Sequence, residues 1–532
     1  MSDTAQPATP DRATWRPALP LWAALAGLVH YIVLQVLALI QTGGVFEYPL
    51  DDVYIHLEMA RSIAGGGYGV NPGEFASADS SVLYPLLLTP MAGTEVQRYL
   101  PALVNMLALL GCGWAWGKLI AWSEFGRFPG MALALAAIGP VALNMAGVAF
   151  LGMEHSLHAL VSLMVLLGLI VLARDNRVGW LLSLGIVLGP LLRPEGLAIS
   201  LTVCAYLLLS GARRAGLLLT AGAVLPFAGF VAFLTALGIG PLPSSVMAKL
   251  SSMEFPGVSG MQAMVYRVLI NLFGPMGVAT VLIVLAVGLG LLFARPLTRK
   301  RTAPIVLIAM VVAPAHLILG KMGWSYRYEH YMLVFLIGAA VYAFGYWALA
   351  GRDRMPALAP VMPAIVLALP LSTYLPLVLA EGPASARAVY LQQRQLGRIA
   401  KEVIAAPVAV NDIGWVAYRN PDYVVDLWGL ASSEALAARQ AGMGPGWADG
   451  LPQRHGADLA MVYERWLGPG AGPDWVRLGE LELTGPQGFV AAPVVIFYAT
   501  RPEAAAGLRD KLAGFVPSLP EGARFSFAEG LE

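Results

Sequence analysis

Two adjacent carboxylates, Asp51 and Asp52, follow the first long apolar segment and precede the side chains of Tyr54 and His56. A partly desolvated carboxylate at a membrane–water boundary can act as a general base toward a hydroxyl group. Helix capping is the simpler explanation, with Asp51 as the N-cap of a helix over residues 52–64 and Asp52 near its positive end. The two interpretations are compatible, because an N-cap residue also has its carboxylate held in a fixed orientation. We favour Asp51 as the base and Asp52 as the group that orients it or binds an acceptor, with Tyr54 and His56 as substrate contacts.

A glycine-rich loop follows this helix and contains the polar run from Tyr68 to Glu74. The whole segment 43–97 is long for a connection in a compact bundle, and long ordered loops are usually functional. Asn71, Glu74 and Asp79 are therefore candidate contacts to a sugar or an acceptor. The alternative is a flexible loop whose glycines serve only as turn residues.

Two later polar segments carry cations that could bind a phosphate group. Arg193 and Glu195 lie between two apolar runs, where an unpaired charge is costly. Arg193 either binds a phosphate or forms a structural ion pair with Glu195, which is itself a candidate substrate contact. Lys249 ends a polar loop and could neutralise a donor phosphate, although interfacial lysines also commonly extend toward headgroups.

Arg327 lies between Tyr326 and Tyr328. A planar guanidinium suits bidentate phosphate binding, and the two aromatic faces suit stacking on sugar rings. Aromatic residues alone would indicate only an interfacial belt. Such a belt does not explain the arginine among them.

Glu154 and His155 open another apolar run and are further candidate substrate contacts. A preference for negative charge at a helix start explains Glu154 equally well. His155 and His158 lie three residues apart on one helical face and could hold a divalent metal with Glu154. No other well-placed ligand is near these three residues in the sequence, so the metal is left open.

The composition is that of a polytopic membrane protein. Hydrophobic residues make up 58% of the chain and charged residues 13%, and the mean hydropathy is +0.67, far more apolar than a soluble domain. The net charge of +1 gives no support for a nucleic-acid partner. About eleven transmembrane helices are predicted. The apolar runs lie near residues 21–40, 99–122, 129–150, 156–173, 178–192, 197–210, 215–237, 267–294, 303–320, 331–350 and 357–379.

Basic residues occur at every second connection between these runs, which orients the chain because cations are retained on the cytoplasmic side. The basic connections contain Arg127, Arg174, Arg177, Arg213, Arg214, Arg295, Arg299, Lys300, Arg301, Arg352 and Arg354. Residues 1–17 are then a disordered cytoplasmic tail and residues 18–380 a transmembrane region. Every candidate site residue lies on the opposite, extracytoplasmic side.

The pattern changes after residue 380, where hydropathy falls. Short β-branched runs predict strands at residues 408–410, 423–427, 459–463 and 490–498, and helices are predicted at 386–404 and 503–514. Residues 381–532 are therefore predicted to form an α/β domain, which an odd number of spans places outside the cytoplasm.

Residues 51–61 (DDVYIHLEMAR) and 67–74 (GYGVNPGE) resemble the first extracytoplasmic loop of bacterial GT-C glycosyltransferases. The resemblance is strongest to the terminal arabinofuranosyltransferases of the cell envelope and their uncharacterised relatives. Further segments resemble the same family in the same order: 152–154 (GME), 193–196 (RPEG), 243–249 (PSSVMAK), 327–328 (RY), 410–414 (VNDIG) and 425–430 (VDLWGL). Residues 76–78 and 243–245 depart from the family pattern, which leaves the donor sugar and the acceptor open.

The resemblance implies a multi-pass protein of the bacterial cytoplasmic membrane that carries out an inverting transfer. The sugar, arabinofuranose or another, would move from a polyprenyl-phosphate donor to a hydroxyl of a cell-envelope glycan or glycolipid. The chain has no phosphate-binding loop and no dinucleotide fingerprint, so a lipid-linked donor is the consistent expectation. The alternatives are a lipid or glycan transporter and a non-catalytic glycan-binding membrane protein. Transporters place charges near the midplane and often show repeated halves, and neither feature is visible here.

Overall fold

The computed structural model describes residues 16–244, 247, 260–349 and 360–529. Eight helices in these ranges are long and apolar enough to cross a membrane. They are Arg16–Gln41, Glu95–Trp122, Pro129–Phe150, His155–Asp175, Arg213–Ala236, Pro296–Leu319, His330–Leu349 and Val361–Ile404. The chain is thus a polytopic helical membrane protein, as its composition predicts.

The other predicted spans are also helical but are not straight crossings. Gly260–Phe273 and Gly277–Phe293 meet at an angle of 82° and count together as a ninth span, while Trp180–Leu192 and Gly196–Leu209 are shorter apolar helices. Thirteen or fourteen residues of helix extend only about 20 Å, which is less than the hydrocarbon core. The predicted number of about eleven therefore counts apolar segments, and eight or nine of those described have spanning length.

The described part of the membrane region contains fifteen α-helices. In chain order they are α1 (Leu19–Gln41), α2 (Asp52–Ala64), α3 (Tyr84–Leu87), α4 (Leu100–Trp122), α5 (Pro129–Ala142), α6 (Met145–Phe150), α7 (His155–Asp175), α8 (Trp180–Leu192), α9 (Gly196–Leu209), α10 (Arg213–Ala236), α11 (Gly260–Phe273), α12 (Gly277–Phe293), α13 (Pro296–Leu319), α14 (His330–Leu349) and α15 (Val361–Leu391).

Close packing of α1 against α4 depends on Gly113 and Gly117. A Cβ at Gly113 would lie 2.6 Å from the Cα of Ala24, and one at Gly117 would lie 2.5 Å from the Cα of Pro20. Small residues four apart let two helix backbones approach, which is how membrane helices gain contact without a hydrophobic driving force.

The C-terminal region forms a mixed sheet with helices. Its elements are α16 (Gln393–Arg398), β1 (Val408–Val410), α17 (Gly414–Ala417), β2 (Val424–Asp426), α18 (Ser433–Gln440), α19 (Leu451–Arg454), β3 (Leu459–Val462), α20 (Glu464–Leu467), β4 (Val476–Leu483), β5 (Val494–Ala499), α21 (Ala505–Phe515) and β6 (Ala523–Phe527). The strand order is β2-β1-β3-β5-β4-β6, with β1 parallel to β2 and β3 and the other pairs antiparallel. Strands β4 and β6 are additions to the predicted set.

No irregular linker separates the sheet from the membrane helices. Helix α15 passes through the predicted boundary at residue 380 and ends at Leu391. The long first loop also packs on the sheet, because Ile55, Met59 and Val70 share one buried cluster with Val408 and other strand residues. Loop 43–97 and the C-terminal region therefore form a single layer over one end of the helix bundle.

Candidate active site

A cavity of about 270 Å³ lies where the first loop, the segment before α14 and the sheet region meet. It contains both carboxylates and cations together with three tryptophans. Its lining residues are Asp52, Ile55, His56, Ala78, Asp79, Ser80, Met153, Lys321, Trp324, Arg327, Tyr328, Asn411, Asp412, Trp428, Leu430 and Trp466. Of the predicted site residues, Asp52, His56, Asp79, Arg327 and Tyr328 are thus brought together.

Arg327 and Asp52 form the central ion pair of this cavity. Arg327 donates from Nη2 to the Oδ2 atom of Asp52 at 2.6 Å. The side chain of Arg327 is 2% exposed, whereas that of Asp52 is 33% exposed and open to the cavity. The Nε and Nη1 atoms of Arg327 are buried and have no hydrogen-bond partner among the described residues. An arginine with two unused donors beside a carboxylate can bind an anion that enters the cavity.

An unusual turn presents this arginine. Gly323, Trp324, Ser325 and Tyr326 all have positive φ angles, of 85°, 50°, 62° and 54°. Left-handed backbone is unfavourable for residues other than glycine, and such strain concentrates at functional sites. Below the turn, the buried Glu329 accepts a hydrogen bond from the N–H of Gly323 at 3.0 Å, and burial raises the pKa of Glu329 to about 7.

Asp51 does not line this cavity, and its position opposes the predicted role as base. It occupies the N-cap position of α2, but its side chain accepts hydrogen bonds from the backbone N–H groups of Gly414 at 2.6 Å and Trp415 at 2.8 Å. A Cβ at Gly414 would lie 2.1 Å from the carbonyl oxygen of Asp51, so only glycine permits this approach. The first carboxylate of the pair joins the loop to the sheet region, and the second faces the cavity.

A second carboxyl group, Asp412, lies beside this contact. It accepts from Nε2 of Gln393 at 3.1 Å and lines both the main cavity and a smaller adjoining one that Asp51 also lines. Burial raises the pKa of Asp412 to about 6, and burial together with the charge of Asp412 raises the pKa of Asp51 well above its ordinary value. The two carboxyl groups also share a hydrogen bond, and the charge of Asp412 disfavours ionisation of Asp51.

Arg193 is paired with carboxylates rather than open to a phosphate. It donates from Nη1 to Glu154 at 2.6 Å and from Nη2 to Glu195 at 2.8 Å, and it contacts His155 at 2.9 Å. Glu154 lies 3.4 Å from Nε2 of His56, which lines the cavity. The predicted ion-pair alternative therefore describes Arg193. Arg193, Glu154 and His155 form a buried polar chain behind His56, and the partly exposed Glu195 pairs with its arginine.

Two other candidates hold the fold together instead of lining the cavity. The hydroxyl of Tyr54 donates to the buried Glu47. Asn71 makes two hydrogen bonds with the backbone of Val424, at 3.0 and 2.9 Å, and thereby extends the edge of β2.

The last two candidates are also engaged elsewhere. Glu74 accepts from the hydroxyl of Tyr423 at 2.6 Å, and the ring of Tyr326 packs on that of Tyr374 at 5.0 Å. Lys249 and the residues around it lie outside the described part of the chain.

The site also contains residues that motif reading did not select. Lys321 lies 5.7 Å above the ring of Tyr328, and Trp428 and Trp466 have ring centroids 4.6 Å apart. Asp412 and Trp428 belong to the C-terminal segments 410–414 and 425–430, so a signal for them was present. Lys321 opens the polar segment that contains Arg327, whereas Trp466 belongs to no such segment, and only the folded chain brings it to the cavity.

The described residues do not fit a metal ion. Across residues 16–244, 260–349 and 360–529, no group of three or more His, Cys, Asp or Glu side chains is arranged to hold one. His158 instead stacks on Tyr331 with ring centroids 4.3 Å apart.

Solved membrane enzymes have a similar fold. The oligosaccharyltransferase of Archaeoglobus fulgidus in the apo form gives a TM-score of 0.50 at 11% identity, over 92% of this chain and 74% of that chain. The oligosaccharyltransferase AglB from the same organism, in complex with an inhibitory peptide and a dolichol-phosphate, gives a TM-score of 0.49 at 13% identity, over 98% of this chain and 77% of that chain. ArnT from Cupriavidus metallidurans bound to undecaprenyl phosphate gives 0.42 at 14% identity, over 90% and 97%. The first likeness confirms the predicted fold, a polytopic helical membrane region followed by a C-terminal α/β region.

One sequence family matches part of the chain. It is described as a domain of unknown function, DUF8728, and it covers residues 385–501 within the sheet region. No curated protein matches the sequence significantly.

Proposed function

We propose that the protein is an integral-membrane glycosyltransferase that moves a sugar from a polyprenyl-phosphate donor to a hydroxyl group of a glycan or glycolipid. The observation that carries this proposal is the pairing of Asp52 with Arg327 in a cavity at one end of the membrane helices. That cavity supplies a carboxylate for an acceptor hydroxyl and cations for a leaving phosphate. The fold shared with an oligosaccharyltransferase supports the same reaction class.

Asp52 is the base in this proposal. Its carboxylate takes the proton of the acceptor hydroxyl, whose oxygen attacks the anomeric carbon of the donor sugar. The bond between that carbon and the phosphate oxygen breaks, and the electron pair leaves with the polyprenyl phosphate. Attack opposite to the leaving group inverts the configuration at the anomeric carbon.

Arg327 and Lys321 stabilise the leaving phosphate, with Lys249 as a further candidate from the sequence. The two unused donors of Arg327 suit two phosphate oxygens, and Lys321 lines the same cavity. Charge on the leaving group increases in the transition state, so cations placed there lower the barrier. Arg193 acts indirectly, since it holds Glu154 behind His56.

The acceptor enters, in this proposal, beside the tryptophans of the sheet region. Trp428 and Trp466 lie on the cavity wall opposite the membrane helices, and the guanidinium of Arg439 lies 3.7 Å from the ring of Trp428 and supports it. Flat aromatic faces of this kind suit the apolar face of a sugar ring. The lipid carrier would remain on the membrane side.

The finer parts of the proposal come from the sequence. The alternation of basic connections favours an extracytoplasmic site and a cytoplasmic N-terminus, and the resemblance favours a bacterial cytoplasmic membrane, a cell-envelope acceptor and arabinofuranose as the sugar.

A transfer assay tests the proposal. Purified protein is incubated with a panel of polyprenyl-phosphate sugars and glycan acceptors, and the released lipid phosphate is measured. Asp52→Asn should lower turnover by about 100-fold or more while donor binding is retained. Full turnover by this variant would remove Asp52 as the base. Movement of intact lipid-linked sugar across a vesicle membrane without bond cleavage would instead support a transporter.

A further inference from the structure

A second cavity lies at the other end of the helix bundle and has no role in the proposed transfer. Its volume is about 510 Å³. It is lined by Arg16, Ala121, Trp122, Ser123, Glu124, Arg127, Arg174, Leu297, Thr298, Arg301 and Tyr346, and we call it the arginine cavity. Helix α7 runs from His155 beside the candidate active site to Asp175, so the two cavities lie about 30 Å apart along the bundle.

The charge of the arginine cavity is strongly positive. Four arginines and one glutamate line it, and the glutamate is already engaged, because Arg127 donates from Nη1 to Glu124 at 2.7 Å. Arg16 donates to the carbonyl oxygen of Gly126 at 2.6 Å. Arg174 and Arg301 have no carboxylate partner within the described part of the chain, and Arg174 lies 6.0 Å from the ring of Trp122. Two cations that converge on one cavity without a carboxylate partner there make it a favourable site for an anion.

The surroundings of the arginine cavity indicate the class of that anion. Leu297 lines the cavity and is 76% exposed, and nearby Phe293 is 85% exposed, so an apolar surface that faces lipid continues into a basic pocket. Ser123 and Thr298 add hydroxyl groups that can donate to anionic oxygens. Basic pockets between membrane helices bind the phosphate groups of lipid headgroups.

We propose that the arginine cavity binds a phosphate-bearing anion and that its occupant is the headgroup of an anionic phospholipid from the adjacent leaflet. Arg174 and Arg301 hold the phosphate in this site, and the acyl chains lie against Leu297 and Phe293. This site is independent of the transfer reaction, and its test does not use transfer activity.

The test compares two double variants with equal loss of charge. Arg174→Ala/Arg301→Ala removes two lining cations, whereas Arg177→Ala/Lys300→Ala removes two exposed cations of the same membrane end that do not line the cavity. The full-length proteins are purified in neutral detergent and titrated with phosphatidylglycerol, phosphatidylcholine or inorganic phosphate. Bound lipid is counted by native mass spectrometry, and the midpoint of thermal unfolding is recorded.

We expect wild type and the Arg177/Lys300 variant to bind phosphatidylglycerol in preference to phosphatidylcholine. The Arg174/Arg301 variant should bind phosphatidylglycerol about 30-fold more weakly, from the typical electrostatic contribution of two cations at an anionic surface. Inorganic phosphate could instead raise the midpoint of thermal unfolding as far as phosphatidylglycerol does. That result would support the phosphate site and assign a free anion as its occupant.

Two results would overturn the proposal. One is an equal loss of binding in both double variants, which would reflect general attraction to a basic surface. The other is an equal affinity of wild type for the two lipids. If the double variant does not fold, Arg301→Gln alone serves the same comparison against Lys300→Gln, with about a fivefold loss expected for the lining residue.

Discussion

Arg327 donates a 2.6 Å hydrogen bond to Asp52, although the two residues lie 275 positions apart in the chain. The first belongs to the turn before α14 and the second begins α2, so this pair joins the two polar segments of the membrane region. Both side chains face the same cavity. The pair therefore places a base and an anion-binding group within reach of one substrate.

Replacement of Arg327 by glutamine should remove the cation next to Asp52 and both unused donors to the phosphate. We expect Arg327→Gln to lower turnover by about 100-fold or more, because stabilisation of the leaving charge is lost. Arg61→Gln is the matched control, since Arg61 pairs with Glu58 away from the cavity. A similar loss in both variants would show that the effect is not specific to the site.

Asp51→Asn should act on stability rather than on chemistry. Asparagine cannot accept from both Gly414 and Trp415, and an unsatisfied buried donor costs about 1–3 kcal/mol. We expect a lower midpoint of thermal unfolding together with substantial transfer by the folded fraction. Asp474→Asn, at an exposed position of the same region, should leave the midpoint unchanged. Complete loss of transfer without any loss of stability would contradict this structural role and support Asp51 as the base.

Asp412 should make stability depend on pH. Its pKa is about 6 in the folded protein against an ordinary value of 3.8, so the folded state holds the proton more tightly than the unfolded state. Stability from this group is then greatest below about pH 4 and is lost as the pH rises toward 6. Thermal unfolding of wild type and Asp412→Asn across this range measures the effect. If the stability of the variant depends on pH as that of wild type does, the effect belongs to other groups, such as Glu329.

Asn71→Ala should detach the first loop from the edge of β2. The two hydrogen bonds to Val424 are lost, and we expect a destabilisation of about 1–3 kcal/mol and faster proteolysis within residues 65–76. Limited proteolysis followed by mass spectrometry measures this. A raised KM for the acceptor with unchanged stability would instead support the predicted contact between Asn71 and substrate.

Trp466→Ala should weaken binding of the acceptor and leave the donor unaffected. Loss of one aromatic face of the platform with Trp428 should raise the acceptor KM by about tenfold. Trp180→Ala is the control, because Trp180 is 69% exposed and lies outside the cavity. A change in donor KM alone would place the platform on the donor side.

Much of the membrane architecture is predictable because apolar length and helix geometry are local properties. Helix α2 covers the predicted residues 52–64, and all predicted apolar runs contain helix in the described residues. The two short runs and the bend near residue 275 are less predictable. Their geometry depends on neighbouring helices, which sequence periodicity does not contain.

The candidate site is predictable only in part. Asp52, His56, Arg327 and Tyr328 line the cavity as expected, since charge in an apolar chain is costly and marks function. Tyr54, Asn71, Glu74 and Arg193 have the same polar character, but each is satisfied by a structural partner. A polar residue type alone does not reveal whether its partner is the protein or a substrate.

The sequence by itself determined the membrane class, the apolar segments and the polar positions from which a site could be built. Only the tertiary structure decided which of two adjacent carboxylates faces the cavity. Successive side chains at a helix start point about 100° apart, so one of the pair must turn away. Docking of Gly414 and Trp415 onto Asp51 selected that direction and left Asp52 toward Arg327.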